Sequence, residues 1–273
     1  MGIHTTDAIV LRHYPYRETS ALVTCLTDRY GKIKGLIKGL RAAAPRFRSA
    51  MEPLTVNRIV FYDTRISSLH LVTQCELLEA FCALPADLEL MRLAASCAEL
   101  TDVVVETEEP HPGVFPLLYD TLRRLATGDP SGSVASHVYF ILRLLRLAGF
   151  QPQVDECTGC GQRQPTEGFW SPQQGGLLCA RCLHQDPHAE PIDPQWLGEL
   201  IRCAEADGPP VLDMRHAHAI SQRLEEFLRW RLDRPLKTLK GAARPGLSNW
   251  RAGGDGGQGV RKTHAPLGKV VSL

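Results

Sequence analysis

Four cysteines in two pairs, Cys157-x-x-Cys160 and Cys179-x-x-Cys182, restrict what this 273-residue chain can fold into more than any other feature. With 18 residues between the pairs, each pair can present two thiolates to one tetrahedral Zn²⁺ at about 2.3 Å. Four sulfur ligands leave no open coordination position, so a site of this kind is structural. Gly159 and Gly161 flank Cys160 and allow the tight backbone path of a metal knuckle; the second pair has no such glycines. Phe169-Trp170 and Leu177-Leu178 flank Gln173-Gln174-Gly175-Gly176, a pattern that predicts a short hairpin. Two knuckles on a hairpin make a zinc ribbon. Redox use of a Cys-x-x-Cys pair competes with this reading, but no βαβ pattern surrounds either pair, and two matched pairs favour a metal. His184 and His188 lie just beyond the last cysteine, where a complete four-sulfur shell leaves them no ligand role.

At 44% hydrophobic content the chain is long enough to bury more than one core. The remaining five cysteines (Cys25, Cys75, Cys82, Cys97, Cys203) stand singly in apolar runs, as reduced core thiols do. No apolar run approaches the ~18 residues that a membrane span requires, and the N-terminus carries no signal-peptide pattern; a cytoplasmic location is the expectation.

The net charge of +1 conceals segregation. Residues 1–80 hold 11 Lys/Arg against 7 Asp/Glu, residues 81–235 hold 13 against 22, and residues 236–273 hold 7 against 1. Any polyanion partner is therefore expected at the ends of the chain.

Residues 1–80 read as five strands around Ala8–Leu11, Ala21–Leu26, Ile33–Ile37, Leu54–Tyr62 and Leu69–Leu77. Five short antiparallel strands over that length predict an OB-fold barrel. In the fourth strand Leu54, Val56, Val60 and Tyr62 are assigned to the core face and Thr55 and Asn57 to the outer one. After Pro85 the apolar spacing turns helical: segments from Leu88, from Val114 to Ala126 and from Ser133 to Leu147, the last capped by Ser131 or Ser133 and stopped by Gly149. Two more helices, Pro194 to Ala206 and His216 to Asp233, follow a zinc module at about 155–184. The expected class is α+β multidomain: an OB-fold at 1–80, a helical bundle domain at 81–240 interrupted by the ribbon, and a basic tail at 241–273. With eight glycines and one aromatic, Trp250, the tail is expected to be disordered.

Seven cations, Arg29, Lys32, Lys34, Lys38, Arg41, Arg46 and Arg48, fall within 20 residues that contain no acid. By strand alternation Lys32, Lys34 and Lys38 share one face while Ile33 and Ile37 point to the core. Tyr14, Tyr16, Tyr30 and Phe47 are interleaved with these charges, the combination of positive groove and stacking platforms that OB-folds use on single strands. The DNA-contact candidates are Lys32, Lys34, Lys38, Arg41, Arg46 and Arg48, with Arg17 and Tyr16 on the adjacent loop; the competing reading is a merely solvated strand face. Arg123, Arg124, Arg143 and Arg146 are candidates for an acidic peptide partner. No Gly-x-Ser-x-Gly, His-Glu-x-x-His or phosphate-loop pattern is present.

Thr6-Asp7-Ala8-Ile9-Val10-Leu11, Tyr16-Arg17-Glu18-Thr19-Ser20 and Thr27-Asp28-Arg29-Tyr30-Gly31-Lys32, followed by helices interrupted by the two cysteine pairs, resemble the bacterial RecO family over residues 1–240. The resemblance implies a nonenzymatic recombination mediator of the RecF pathway. Such a protein binds single- and double-stranded DNA, anneals complementary strands, and helps load RecA with RecR and single-stranded-DNA-binding protein. It implies one structural Zn²⁺ held by Cys157, Cys160, Cys179 and Cys182, no catalytic residue, no small-molecule substrate, no membrane, and a cytoplasmic, nucleoid-associated location. Two alternatives remain open on the residues. A zinc-dependent GTPase-activating protein shares the two-pair ribbon but places arginine five residues after the last cysteine, where this chain has Pro187. A protein-interaction adaptor would bind no nucleic acid.

Overall fold

A computed structural model describes residues 2–38, 51–63, 68–163, 165, 167–232 and 236–238. Strands β1 (Ile3–Tyr16), β2 (Ser20–Thr27), β3 (Gly31–Ile37), β4 (Val56–Tyr62) and β5 (Leu69–Glu79) close into a barrel in the order β1-β2-β3-β5-β4. This is the expected five-stranded OB-type barrel with one difference: β3 and β5 are parallel. The reason is topological. An odd number of strands alternating in direction cannot close on itself without one parallel pair.

β1 pairs with both β2 and β4, and a register irregularity between Val10 and Arg12 supplies the bend that lets one long strand serve two neighbours. Ala8, Val10, Val23, Ile33, Ile59 and Phe61 fill the barrel interior. Ile9, Leu11, Leu26, Leu54 and Val56 are equally buried, but in a second core shared with the helices. β1 is apolar on both faces at Ala8–Leu11 because both faces are covered. This corrects the assignment of β4: Leu54 and Val56 face the helices, while Ile59 and Phe61 face the barrel core. Asn57, assigned to the outer face, is fully buried. Its Oδ1 accepts from the Met51 N–H (3.3 Å) and its Nδ2 donates to Thr55 Oγ1 (2.8 Å), which is how a buried amide is tolerated.

The helices are α1 (Leu88–Val104), α2 (Val114–Leu125), α3 (Pro130–Leu147), α4 (Pro194–Glu205) and α5 (Met214–Arg231), close to the expected spans. Asp87, Asp193 and Asp213 cap α1, α4 and α5 through backbone N–H groups of the first turn. At α3 the expected serine cap is replaced: Asp129 Oδ2 accepts from the Gly132 N–H (3.1 Å), and Ser133 lies inside the helix with its hydroxyl donating to the Asp129 carbonyl. The dense apolar surface of α3 places it centrally, against α1, α2, α4 and α5.

Two polar links fix the barrel on the bundle. Lys32 Nζ donates to the Asp102 carbonyl at the end of α1 and lies 3.3 Å from its carboxylate, while Arg12 Nε is 2.6 Å from the other carboxylate oxygen. Beside them the Glu108 N–H donates to the Lys32 carbonyl (2.8 Å). Gly31, at φ +66°, packs so closely that a Cβ would stand 2.0 Å from the Glu109 carbonyl oxygen. Only glycine fits both the turn and that approach.

The strands β6 (Gly168–Ser171), β7 (Gly176–Cys179) and β8 (Glu190–Pro191) form a small sheet in the order β7-β6-β8. The hairpin of β6 and β7 pairs Phe169 with Leu178 and Trp170 with Leu177, as the sequence predicts. β8 is a two-residue addition with no sequence signal of its own.

Two consequences are measurable. Asp102→Ala leaves Lys32 buried without its counter-charge and should cost about 3–5 kcal/mol in urea unfolding, whereas Lys34→Ala, at an exposed position, should stay within about 0.5 kcal/mol. Equal costs would show that Asp102 does not hold Lys32. His137 on α3 is fully buried against Ser96 of α1 (Nε2 to Oγ 3.1 Å), and burial lowers its pKa to about 4. The unfolded chain then binds the extra proton between pH ~6.5 and ~4, so this group's stabilisation is complete above pH ~6.5 and is lost as pH falls through that window. In His137→Gln the stability lost between pH 7 and 4.5 should be smaller by on the order of a few kcal/mol; an identical pH profile would refute this role.

Candidate metal centre and nucleic-acid interface

Each cysteine of the quartet is delivered by a local device of its own. Cys157 and Cys160 bracket a tight turn in which the Gly161 N–H donates to the Cys157 carbonyl (2.8 Å). Cys179 ends β7, and a 3-10 helix over Ala180–Gln185 turns the chain so that Cys182 faces back. Helical winding thus supplies in the second knuckle what glycines supply in the first. The four Sγ atoms lie within 4.8 Å of one another. The Cys179 N–H donates to Cys157 Sγ (3.3 Å), a bond that favours the thiolate and orients it. Among the described residues this is the one His/Cys/Asp/Glu group with metal-binding geometry. His184 instead pairs with the Arg181 carbonyl (2.9 Å).

The electrostatics of the quartet ask for a cation. Burial opposes ionisation of Cys179, but the Cys182 backbone N–H and the neighbouring thiols outweigh it and bring Cys179 down to about 6. Burial and the same neighbours drive Cys182 up to about 12. Four thiolates cannot share this volume unless a positive ion neutralises them. The donor set fits a four-sulfur metal ion, with the shell closed by protein.

The ribbon is anchored to the bundle through the hairpin. Trp170 packs edge-on against Trp196 of α4 (centroids 5.7 Å, 75°) and against Phe227 of α5 (6.1 Å). The Leu177 N–H donates to the Gln153 carbonyl (2.8 Å), and at Gly176, φ +153°, a Cβ would stand 2.0 Å from that carbonyl oxygen.

On the barrel, register decides which side chains share a surface. Arg12 pairs with Thr24, which pairs with Lys34; Tyr14 pairs with Leu22, which pairs with Leu36. Directly paired residues project to the same side, so β1, β2 and β3 present one continuous outer face. Its far end is open. Tyr14 (49% exposed) and Tyr16 (38%) reach solvent, Lys34 and Lys38 are exposed, and the Arg17 guanidinium lies 5.3 Å from the Tyr16 ring centroid. The near end, Ile9, Leu26 and Lys32, is covered by the helical domain. Lys32 therefore does not join Lys34 and Lys38 on open surface, although it shares their parity. It is only 7% exposed, and burial lowers its pKa against the opposing pull of Asp102.

Tyr30 is no stacking platform either: it packs edge-on against Phe61 (5.4 Å), with its hydroxyl 3.2 Å from His4 Nδ1. Arg41, Arg46, Phe47 and Arg48, like the tail at 241–273, lie outside the described residues. Arg12, which is not among the candidates that the sequence suggests, joins this face and ties it to α1; only the strand register reveals it. Of the four helical arginines, Arg124 and Arg143 line one cavity of about 230 Å³ together with Asp120, Asp207, Leu117, Tyr139 and Leu147. Arg123 instead reaches Tyr119 and Glu79, and Arg146 the Ala204 carbonyl.

Among the described residues no helix is long and apolar enough to cross a membrane. Residues 1–81 match the family model described as Recombination protein O N terminal, and residues 85–240 match Recombination protein O C terminal. The chain is 36% identical over 204 residues to the DNA repair protein RecO of Desulforudis audaxviator, covering 74% of this chain and 80% of that one. It is 34% identical over 256 residues to the RecO of Heliobacterium modesticaldum, covering 87% and 88%. The RecO of Desulfitobacterium hafniense is 31% identical over 198 residues, covering 72% and 70%. An OB-type barrel docked on a helical bundle with a four-cysteine centre, matched across both parts, identifies the chain as a member of the RecO family of DNA repair and recombination proteins.

Proposed function

We propose that this protein is a nonenzymatic recombination mediator that binds single- and double-stranded DNA, anneals complementary strands and, with RecR and single-stranded-DNA-binding protein, helps load RecA in the RecF pathway. The observation that carries the reading is the half-open outer face of β1–β2–β3. It combines two exposed tyrosines with Lys34, Lys38 and Arg17 on the barrel surface and loop that OB-folds use for oligonucleotides. Annealing requires two polyanions to be held close while their bases stay free to pair. Cations screen the phosphates, and aromatic rings hold single strands by stacking without reading sequence. The DNA-binding set is Tyr16, Arg17, Lys34, Lys38, Arg41, Arg46 and Arg48, with Lys32 given to the domain junction. The Arg124/Arg143 cavity also contains Asp120 and Asp207, so its two arginines do not form an open cationic site for an acidic peptide. A cytoplasmic, nucleoid-associated location goes with this role.

A salt-titrated annealing assay with complementary oligonucleotides tests the reading. If Arg17, Lys34, Lys38, Arg41, Arg46 and Arg48 each bind a phosphate, log affinity for single strands should fall against log salt with a slope near about −4, from about −0.7 per phosphate. The folded triple variant Lys34→Glu, Lys38→Glu, Arg41→Glu should lose binding and annealing; unchanged affinity and slope would reject the assignment. A full chain that binds no nucleic acid at low salt would favour the adaptor reading.

We further propose that the quartet holds one Zn²⁺ with a structural role, because its shell closes with four sulfurs and its hairpin is packed into the bundle core through Trp170. Elemental analysis should find one zinc per chain. Cys160→Ser should lower thermal stability and yield more than it lowers the DNA affinity of the protein that folds. Normal stability with lost DNA binding would overturn the structural role.

A further inference from the structure

Where the barrel meets α1 the two surfaces do not close completely. A cavity of about 230 Å³ remains between Arg12, Tyr14 and Leu54 on the barrel side and Met91, Ala95 and Glu99 on α1. Most of its wall is apolar. Tyr14, which lines it, is 49% exposed and belongs to the open end of the β1–β2–β3 face, so the cavity is continuous with the surface assigned to DNA.

Two charged side chains supply its polar part. One carboxylate oxygen of Glu99 accepts from both the Thr238 N–H (2.8 Å) and the Thr238 hydroxyl (2.7 Å), while the other, among the described residues, accepts only from the Lys237 N–H (2.8 Å) and keeps a lone pair. Arg12 places Nε 2.6 Å from the Asp102 carboxylate and donates from one terminal nitrogen to the Tyr14 hydroxyl (3.4 Å), which leaves a guanidinium with five N–H groups further donors. Burial raises the Glu99 pKa, but the bonds from Thr238 and Lys237, with the charge of Arg12, outweigh it and leave it lowered. The cavity therefore holds an ionised acceptor and a cationic donor at neutral pH.

Size and charge select the ligand. The volume is below the roughly 300–1,000 Å³ of sites for drug-sized molecules, which suits a single planar ring system. A phosphate or an acidic side chain is disfavoured, because Glu99 repels it. A nucleobase meets every wall. Leu54, Met91 and Ala95 offer apolar contact to its faces, and Tyr14 offers a stacking surface at the mouth. The pairing edge of every DNA base carries an N–H beside an acceptor, a pattern that an accepting carboxylate and a donating guanidinium match together. We propose that this cavity receives one unstacked base of the single strand bound on the barrel face, with Glu99 and Arg12 engaging the donor and acceptor common to all four bases. This rests on the DNA-binding reading above and deepens it. One base held per chain fixes the strand against the barrel without sequence preference, and the remaining bases stay free to pair.

The test uses the full chain and an oligothymidylate in which alternate thymines are replaced by the fluorescent base 2-aminopurine. A base inside the cavity is shielded from a collisional quencher, so part of the bound fluorescence should resist acrylamide in the wild type. Ala95→Phe, which fills the cavity from α1, should abolish that shielded fraction and weaken binding roughly 5- to 100-fold, the loss of one base contact. The log–log salt slope should stay at the wild-type value, since no phosphate contact is removed. Ala95→Leu, a smaller filling, should fall between the two, and Glu99→Met, which removes the acceptor, should lower the shielded fraction. Thermal unfolding verifies that each variant is folded. Complete quenching in the wild-type complex would overturn the proposal, as would unchanged shielding and affinity in the folded Ala95 variants. A shallower salt slope in Ala95→Phe would overturn it too, because the cavity would then seat backbone rather than base. If the Lys34/Lys38/Arg41 variant loses binding while Ala95→Phe behaves as wild type, the cavity fails and the DNA reading stands; wild-type binding in both sinks the DNA reading itself.

Discussion

The outer face of β1–β2–β3 is the surface on which the rest of the molecule depends, because the helical domain covers one half of it and leaves the other open. Ile9, Leu11, Leu26, Leu54 and Val56 enter the core of the helical bundle rather than that of the barrel. At about 1.5–3 kcal/mol for each buried aliphatic side chain, these five contribute on the order of 10 kcal/mol to holding the two parts together. The Asp102 cluster with Lys32 and Arg12 contributes far less net stability, since desolvation offsets most of a buried ion pair's attraction. It sets orientation instead. Apolar contact is non-directional, whereas one carboxylate held between two strands fixes where α1 ends against the barrel.

That division of the face explains the separation of roles. Where the bundle covers it, cations serve as structural partners of acids; where it is open, Tyr14, Tyr16, Lys34 and Lys38 meet solvent. The acidic middle of the chain builds the bundle rather than this face. The four-cysteine centre stands apart from it. Its hairpin reaches the bundle core through Trp170, Trp196 and Phe227, so an ion held by the quartet would couple its binding to bundle packing.

Much of the fold and part of the site are legible in the residues. The five helices, the ribbon hairpin and the metal quartet follow from apolar period, caps and cysteine spacing, all of which are local. The elements that differ from expectation are those governed by distant neighbours. Thr55 and Asn57 resemble an outer face because they are polar, yet Asn57 sits inside, satisfied by Met51 and Thr55. Ser133 resembles a cap, yet Asp129 is nearer the helix start. The parallel pairing of β3 with β5 is a property of closure with five strands, and no single strand carries a sign of it.

The element types, the four cysteines able to hold a metal ion and the basic character of the chain's two ends are written in the residues, because periodicity, ligand chemistry and charge are local properties. Which cations are open to solvent is fixed instead by the packing of remote elements. Lys32 and Lys34 are two residues apart on one strand face, chemically the same, and separated in role by the end of α1, which covers one and not the other. The physical reason is that burial and pairing are set by what packs on a face from remote segments, and neither strand alternation nor charge patterning carries that information.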